Sequence, residues 1–418
     1  MGNQKKSDHD DQSININSGE RLSKLGKSDL DLSAIGLESE FTLYVNGKAA
    51  RPEKVFGNPK AFLSKDSMHR VGSSYHIPTG GAVYFDSGVI EVATPVIEIE
   101  KGCAARAGRS LWESIHYLRD ELDKWEVKTK KKIRLEGFSS HYNVSFDLPK
   151  NQRNGNKTDK KLALLLSYIV PVPVMLLIAN RKSTGIGVRP RGNRVEITAD
   201  FVPSPSLMIA AATLITGIIR EVMTWPSYEL DMLEKMKIPV IKGYKPIKHT
   251  SRKGWLAKDD CYDINPFTCD IDEKIWDTTD AKSKKSLRKI GNQIYRLFLK
   301  PINRVSGPFT SKLISSVLTG KAPSLLNLDD RPKEYEDVGN LCTWNNLFSV
   351  KELRRSKYER VLICSILKKD IKINRQVYTP VGMKGWAEVV FEKKSDKTRK
   401  AFHIDTLKRY IDRWEKGS

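Results

Sequence analysis

The chain has 418 residues, of which 39% are hydrophobic, and this is enough for one large domain and a smaller one. It carries 72 lysines and arginines against 50 aspartates and glutamates, a formal charge of +22 that favours acidic partners. Dedicated nucleic-acid binding is not favoured, because charge alone does not select it. The five cysteines form no C-x-x-C pair, which argues against a zinc knuckle or a disulfide framework and favours the cytoplasm.

The first 33 residues are rich in Asp, Ser, Asn, Gln and Lys and show almost no apolar periodicity, which predicts a disordered tail. A domain is expected over residues 34–239, where short alternating runs are interleaved with longer helical patterns. A buried helix over about 206–224 is predicted, with Ser204 or Ser206 as its cap. A second helix over about 104–127 is predicted from apolar residues at spacings of 4 and 3: Leu111, Ile115, Leu118, Leu122 and Trp125.

The uncharged run over residues 162–179 is just long enough to be considered as a membrane span. Pro171 and Pro173 lie at its middle and remove backbone donors where lipid offers no replacement. We therefore expect no membrane span here, but a helix, a turn and a second buried helix.

The composition changes after residue 239. Residues 240–330 are rich in lysine, including the stretch 282–289, and predict a basic helical extension. Residues 331–418, which we name the C-terminal module, end in a pattern of strand, turn, strand and helix. Because all residues of the metal-binding type lie before Asp200, we expect this module to recruit the substrate and to lie apart from the ATP site. Its basic surface favours an acidic partner.

Four strands of the first domain show an unusual alternation. In the first, Glu38 and Glu40 share a face with Thr42, and the opposite face is apolar. The other three strands place further polar side chains on one face: Glu91; His141, Asn143, Ser145 and Asp147; and Arg194, Glu196 and Thr198.

These polar faces have two interpretations. For any single strand, the solvated face of an antiparallel sheet is the simpler one. However, the wet face of so basic a protein should contain lysine, and these strands contain none. Glutamate, histidine and asparagine converging on one face suit Mg²⁺ or Mn²⁺ held against phosphate oxygens.

The motifs GLESE, DSGVIEVATP, SHYN and RVEI occur in this order over about residues 35–230. In order and spacing they resemble the carboxylate–amine ligase superfamily of glutamine synthetase, glutamate–cysteine ligase and the ligase of prokaryotic ubiquitin-like protein. The resemblance implies an α+β fold, in which a curved antiparallel sheet carries helices on its convex side. The concave face would bind ATP and two or more divalent metals.

The resemblance also implies roles for individual residues. Asp86 matches an aspartate that accepts the proton of the incoming amine. Arg189 is expected to act in catalysis, and Asn143, Arg191 and Arg194 to bind the cofactor. The metal ligands implied are Glu38, Glu40, Glu91, His141 and Glu196.

Two features leave these roles open. Many relatives carry an arginine two residues after the last-strand glutamate, where this chain has Thr198, so Arg189, Arg191 and Arg194 are the candidates to replace it. The sequence Asp86-Ser87-Gly88 is also typical of a simple hairpin turn.

The function implied is an ATP- and Mg²⁺-dependent ligase (or one using Mn²⁺) that forms an amide through an acyl phosphate. Its substrates could be as small as glutamate, or a peptide or protein tail. The alternatives are a polyanion-binding protein without activity on the same scaffold, and an amide hydrolase of the same fold. ATP consumption that depends on an added amine would separate the ligase from both.

Overall fold

The computed structural model describes residues 33–153, 155–249, 253–338 and 354–416. The predicted disordered tail lies outside these ranges, except for Ser33 at its end. Within them, one large antiparallel sheet has the strand order β11-β12-β9-β10-β8-β1-β6-β5-β4-β3, and β2 and β7 also pair with β1. In chain order its strands are β1 (Ala34–Val45), β2 (Lys48–Ala50), β3 (Met68–Val71), β4 (Ser74–His76), β5 (Ala82–Asp86), β6 (Val89–Ala93), β7 (Ile97–Glu98), β8 (Ile133–Ser145), β9 (Ile186–Pro190), β10 (Arg194–Asp200), β11 (Ile247–Lys248) and β12 (Trp255–Ala257).

Helices cover the apolar face of this sheet. Phe41 of β1 packs edge-on against Phe201 at 5.4 Å, and Phe201 stacks on Trp112 of the long helix α2. The α+β fold and the antiparallel sheet with helices packed on one face are therefore confirmed. The helices up to residue 318 are α1 (Pro52–Phe56), α2 (Cys103–Thr129), α3 (Asp159–Ile169), α4 (Pro171–Ile178), α5 (Pro205–Met223), α6 (Asp231–Lys235), α7 (Leu287–Leu297), α8 (Leu299–Val305) and α9 (Pro308–Leu318).

The apolar run that could have been a membrane span forms α3 and α4, which meet at an angle of 59° just before Pro171. By length and composition alone, α5 could cross a membrane, and α3 and α4 would add a second span if they formed one. Such helices also occur in protein cores, and 78% of the apolar window of α5 is buried in the structure. Ser204 caps α5 by accepting from the Leu207 backbone N–H at 3.5 Å.

Residues 240–330 complete the large domain in the structure. Strands β11 and β12 extend the large sheet next to β9, and helices α7 and α9 pack against α4. Leu287, Ile290 and Ile294 of α7 are fully buried. The hydrophobic core therefore continues through the domain boundary that the sequence predicts at residue 239.

The C-terminal module has a sheet and a core of its own. A four-stranded antiparallel sheet and a hydrophobic cluster hold it together, and the cluster also includes Ala34 and Met68 of the large sheet. The predicted final helix is divided in two at residues 408–410. The elements are α10 (Lys357–Ile366), β13 (Ile371–Ile373), β14 (Gln376–Lys384), β15 (Glu388–Lys393), β16 (Arg399–His403), α11 (Ile404–Leu407) and α12 (Ile411–Trp414).

A buried ion pair joins the C-terminal module to helix α2. The Arg109 guanidinium is 3% exposed and contacts both oxygens of Glu359, whose side chain is completely buried. The same carboxylate accepts hydrogen bonds from the Ser356 backbone N–H at 3.1 Å and from Arg355 at 3.0 Å. The pair therefore fixes the start of α10 on the large domain.

We expect Glu359→Ala to destabilise the protein by about 3–5 kcal/mol, because it takes the carboxylate away from a buried arginine. The free energy of unfolding in urea measures this. Glu415→Ala is the control, since it breaks the more exposed pair with Arg360 and should cost about 1 kcal/mol or less. Equal losses in the two variants would contradict this account of the junction.

Candidate active site

Strand register brings the predicted acidic residues together on the face opposite the helices. Glu38 of β1 lies directly opposite His141 of β8, and Glu40 lies opposite Glu91 of β6. Directly opposed residues of antiparallel strands point to the same face. We name Glu38, Glu40, Glu91 and His141 the acidic cluster.

Short contacts centre the acidic cluster on the imidazole. His141 Nδ1 lies 3.2 Å from Glu38 Oε2 and 3.6 Å from Glu91 Oε1, and His141 Nε2 lies 3.5 Å from Glu40 Oε1. Two hydroxyl groups support the carboxylates from the sides. Ser139 donates to Glu40 at 2.6 Å, and Tyr84 donates to Glu91 at 2.6 Å.

The charges in the cluster shift its pKa values in different directions. Burial lowers the pKa of His141, but its contacts with Glu38 and Glu91 outweigh this and raise it to about 10. Burial raises the pKa of Glu38, but the nearer His141 lowers it to about 2. Glu91 is farther from the imidazole, and burial raises its pKa to about 7. In the protein alone, one imidazolium therefore compensates several crowded carboxylates.

The donor set fits divalent cations. Glu38, Glu91 and His141 each offer a ligand atom within 4.8 Å of the others, and so do Glu40, Asp86 and Glu91. Glu91 is common to both groups, so the two sites would adjoin. Carboxylate oxygens with one imidazole suit Mg²⁺ or Mn²⁺. Because a metal ligand must be deprotonated, binding through His141 would release its proton.

Glu196, which the resemblance implies as a fifth metal ligand, lies outside both groups. It is completely buried and contacts Arg189, while Arg191 binds it in a bidentate manner at 2.9 and 3.1 Å. The Nη2 atom of Arg194 is 4.0 Å away, and its Nε donates to Asn143 Oδ1 at 2.7 Å. The predicted cofactor-binding residues thus lie together beside the acidic cluster, with Glu196 compensating their charge.

A cavity of about 580 Å³ opens on the other side of the cluster. Asp86 lies at its wall, where Ser87 and Gly88 form the turn between β5 and β6 with φ of 54° and 99°. Asp86 therefore flanks a hairpin turn and also lines the cavity. The lining includes Glu40, Asp86, Phe138, His141, Arg189 and Asp200.

Sequence reasoning did not find Tyr84, Ser139 or Asp200. Tyr84 lies opposite Glu91 across the β5–β6 hairpin, so pairing that hairpin in sequence would have found it. Asp200 continues the strand alternation of Glu196 and Thr198. It accepts hydrogen bonds from the Asn180 backbone N–H and from Ser183, both at 3.0 Å, and burial raises its pKa to about 6.

Comparison with known proteins finds similarities to solved structures. No family model matches the chain, and no curated protein matches it. The chain is similar to the crystal structure of prokaryotic ubiquitin-like protein Pup with its ligase PafA, at 11% identity and a TM-score of 0.47, over 91% of this chain and 92% of that chain. It is also similar to the Pup ligase PafA in complex with ADP, at 10% identity and a TM-score of 0.41, over 86% and 93%.

We expect Glu91→Gln to stabilise the metal-free protein above pH 7. The pKa of Glu91 is raised on folding from 4.5 to about 7, so the carboxyl favours the folded state below pH 4.5 and loses this contribution as the pH rises through 7. The variant should be more stable than the wild type by about 1–3 kcal/mol at pH 8, with the difference vanishing near pH 4.5.

Urea unfolding in EDTA across this pH range measures the effect. Glu196→Gln is the control, because it weakens the attraction of two arginines for a buried carboxylate and should destabilise the protein at every pH. A Glu91→Gln variant less stable than the wild type at pH 8 would contradict the electrostatic account.

Proposed function

We propose that the protein is an ATP- and Mg²⁺-dependent (or Mn²⁺-dependent) ligase that joins a carboxylate and an amine in an amide bond. The observation that supports this best is the order of charges along the polar face of the sheet. Two adjoining groups of hard metal donors lie between the side of Arg191 and Arg194 and a cavity that Glu40, Asp86 and Asp200 line together with Arg189. This order suits a reaction in which a phosphoryl group and a cationic amine meet from opposite sides.

The arginine-rich side would hold the nucleotide phosphates. Arg191 and Arg194 are partly exposed, whereas Arg189 is buried against Glu196 and lies 3.4 Å from His141 Nε2. A planar guanidinium stabilises the charge that develops on a transferring phosphoryl group. Divalent cations held by the acidic cluster would neutralise the phosphate oxygens.

The cavity at Asp86 would receive the amine. Asp86, Asp200 and Glu40 line one space, and their three carboxylates outnumber the cations of Arg189 and His141 in the same lining, so a protonated amine would be attracted into it. The amine must lose a proton before its nitrogen can attack the acyl phosphate, and Asp86 is placed to accept that proton. Attack forms the carbon–nitrogen bond, and inorganic phosphate leaves.

The size of the substrates is part of the same proposal. The cavity is open enough for a side chain carried by a peptide or a protein tail, as well as for a free amino acid. The C-terminal module carries a basic surface that favours an acidic partner, and this attraction should weaken as salt rises. We place the reaction in the cytoplasm.

Wild-type protein should gain thermal stability on addition of Mg-ATP, by about 2.7 kcal/mol at a hundredfold excess over the dissociation constant. Glu38→Gln and Glu91→Gln should lose this gain, because each removes a charge from the proposed metal donors. Glu273→Gln, at an exposed site away from the cluster, should keep it. Melting curves with and without Mg-ATP decide the matter, and the absence of any shift in the wild type would contradict the ligase proposal.

Asp86→Asn should slow amide formation by roughly 10²-fold or more, as expected for a lost general base. It should keep part of the Mg-ATP stability gain, because Glu38, Glu91 and His141 still form the other group of metal donors. The rate of ATP hydrolysis that depends on an added amine measures this. Ser87→Ala is the control, because it removes only the hydroxyl that donates to Asp86 at 2.9 Å. An unchanged rate with lowered stability would instead assign Asp86 to the hairpin turn.

A further inference from the structure

Strand β16 forms one edge of the sheet of the C-terminal module. The strand order is β13-β14-β15-β16, so within the described part of the chain β16 pairs with β15 on one side and with no strand on the other. Arg399, Lys400 and Ala401 of this strand are exposed. An open edge presents a row of backbone N–H and C=O groups with which a further strand can pair.

Hydrogen bonds at both ends of the β15–β16 hairpin show which backbone groups point outward. The Lys393 N–H donates to the Thr398 carbonyl at 2.9 Å, and the Ile404 N–H donates to the Ala387 carbonyl at 2.8 Å. Along antiparallel strands, pairs that bond to each other alternate with pairs whose backbone groups point away from each other. The two end pairs therefore fix the direction of every residue between them.

The register assigns two residues of β16 to the open side. Lys400 and Phe402 occupy the positions that bond to β15, whereas the N–H and C=O groups of Arg399 and Ala401 point away from it. Among the described residues, these four backbone groups have no hydrogen-bond partner. The open edge thus offers two donors and two acceptors, spaced as the next antiparallel strand would need them.

The charge of the edge selects the kind of segment that could pair with it. Residues 354–416 carry 18 lysines and arginines against 8 aspartates and glutamates. At the edge itself, Arg399 and Lys397 are mostly exposed and share one carboxylate, that of Glu392, at 3.5 Å each. Lys400 makes no ion pair among the described residues. Such charges repel a second copy of the same edge, but they attract an extended segment of opposite charge.

We propose that the open edge of β16 binds an extended acidic segment of a partner protein, which adds a fifth strand to the sheet of the C-terminal module. The backbone groups of Arg399 and Ala401 would supply affinity, and the basic side chains around them would select for acidic sequences. This inference goes beyond the ligase proposal and does not rest on it, because β16 takes no part in the acidic cluster or in the cavity beside it.

Two peptides of equal charge separate strand addition from simple charge attraction. The first is a short peptide that alternates glutamate and valine. The second has the same number of glutamates but carries two adjacent prolines at its centre, so that a residue without an N–H faces β16 in either register. In isothermal titration on the full chain, the first peptide should bind roughly three- to tenfold more tightly or better, as expected for lost backbone hydrogen bonds. Its affinity should also fall as salt rises.

Ala401→Pro removes one outward N–H while leaving the bonds between β16 and β15 in place, and an edge strand tolerates proline at such a position. It should weaken binding of the glutamate–valine peptide by roughly three- to tenfold. Ala401→Val is the matched control, because it keeps the N–H, and its affinity should stay within about twofold of the wild type. Thermal melting establishes that both variants are folded.

Amide hydrogen exchange on the wild-type chain tests the same contact without any substitution. In the free protein, the Arg399 and Ala401 amides should exchange rapidly, whereas those of Lys400 and Phe402 are protected by their bonds to β15. Addition of the glutamate–valine peptide should protect Arg399 and Ala401 as well. The peptide with prolines should protect them less.

Each other result overturns the inference. No binding of either peptide, or equal binding of both with the Arg399 and Ala401 amides still exchanging rapidly, would leave only a charged surface. Protection of these two amides before any peptide is added would show that another segment of this chain or a second copy already covers the edge, and sedimentation equilibrium separates those two cases. None of these measurements involves ATP, so their failure is distinct from a failure of the ligase proposal.

Discussion

The repulsion between buried carboxylates on one face of a sheet is the constraint on which the site depends. Strand register places Glu38, Glu40 and Glu91 on the same face of the sheet as His141, so their carboxylates lie close to one imidazole. Charges so close destabilise the fold unless something positive lies among them. Its contacts with Glu38 and Glu91 raise the pKa of His141 to about 10, so in the protein alone a proton on the imidazole supplies this positive charge.

The same constraint explains the arrangement around the cluster. Glu196 is the most deeply buried of these carboxylates, and Arg189 and Arg191 compensate it. Tyr84 and Ser139 donate hydrogen bonds to the others without adding charge. The remaining carboxylates of the acidic cluster are balanced by a single proton on His141. A divalent cation would balance their charge better, and this is why the cluster suits the proposed metal-dependent chemistry.

Much of this site could be predicted because side chains along a β-strand alternate between its two faces, so the sequence alone shows which residues share a face. The polar faces of β1, β8 and β10 follow directly from the sequence, and so does the hairpin at Asp86. The pairing of Glu196 with arginines was missed, because it depends on the register of β9 against β10. The resemblance to the ligase superfamily also came from the sequence alone, through the order and spacing of the four motifs.

Other features depend on contacts between distant parts of the chain. Residues 240–330 resemble a basic extension in sequence because lysines recur along them, and the apolar side of α7 becomes clear only where it packs against α4. The sequence places the C-terminal module apart from the ATP site, since no residue of the metal-binding type lies there. Trp386 of this module contacts Arg70 of the large sheet, more than 300 residues away in the chain. No local pattern could have indicated it.

Anomalous diffraction from crystals grown with Mn²⁺ and a non-hydrolysable ATP analogue tests the central claim most directly. We expect Mn²⁺ peaks at about 2.0–2.6 Å from carboxylate oxygens of the acidic cluster, with the analogue's phosphates on the side of Arg191 and Arg194. The carboxylate of Glu196 should remain paired with Arg189 and Arg191. A cluster that stays free of metal at saturating Mn²⁺, or peaks only at exposed carboxylates elsewhere, would contradict the account.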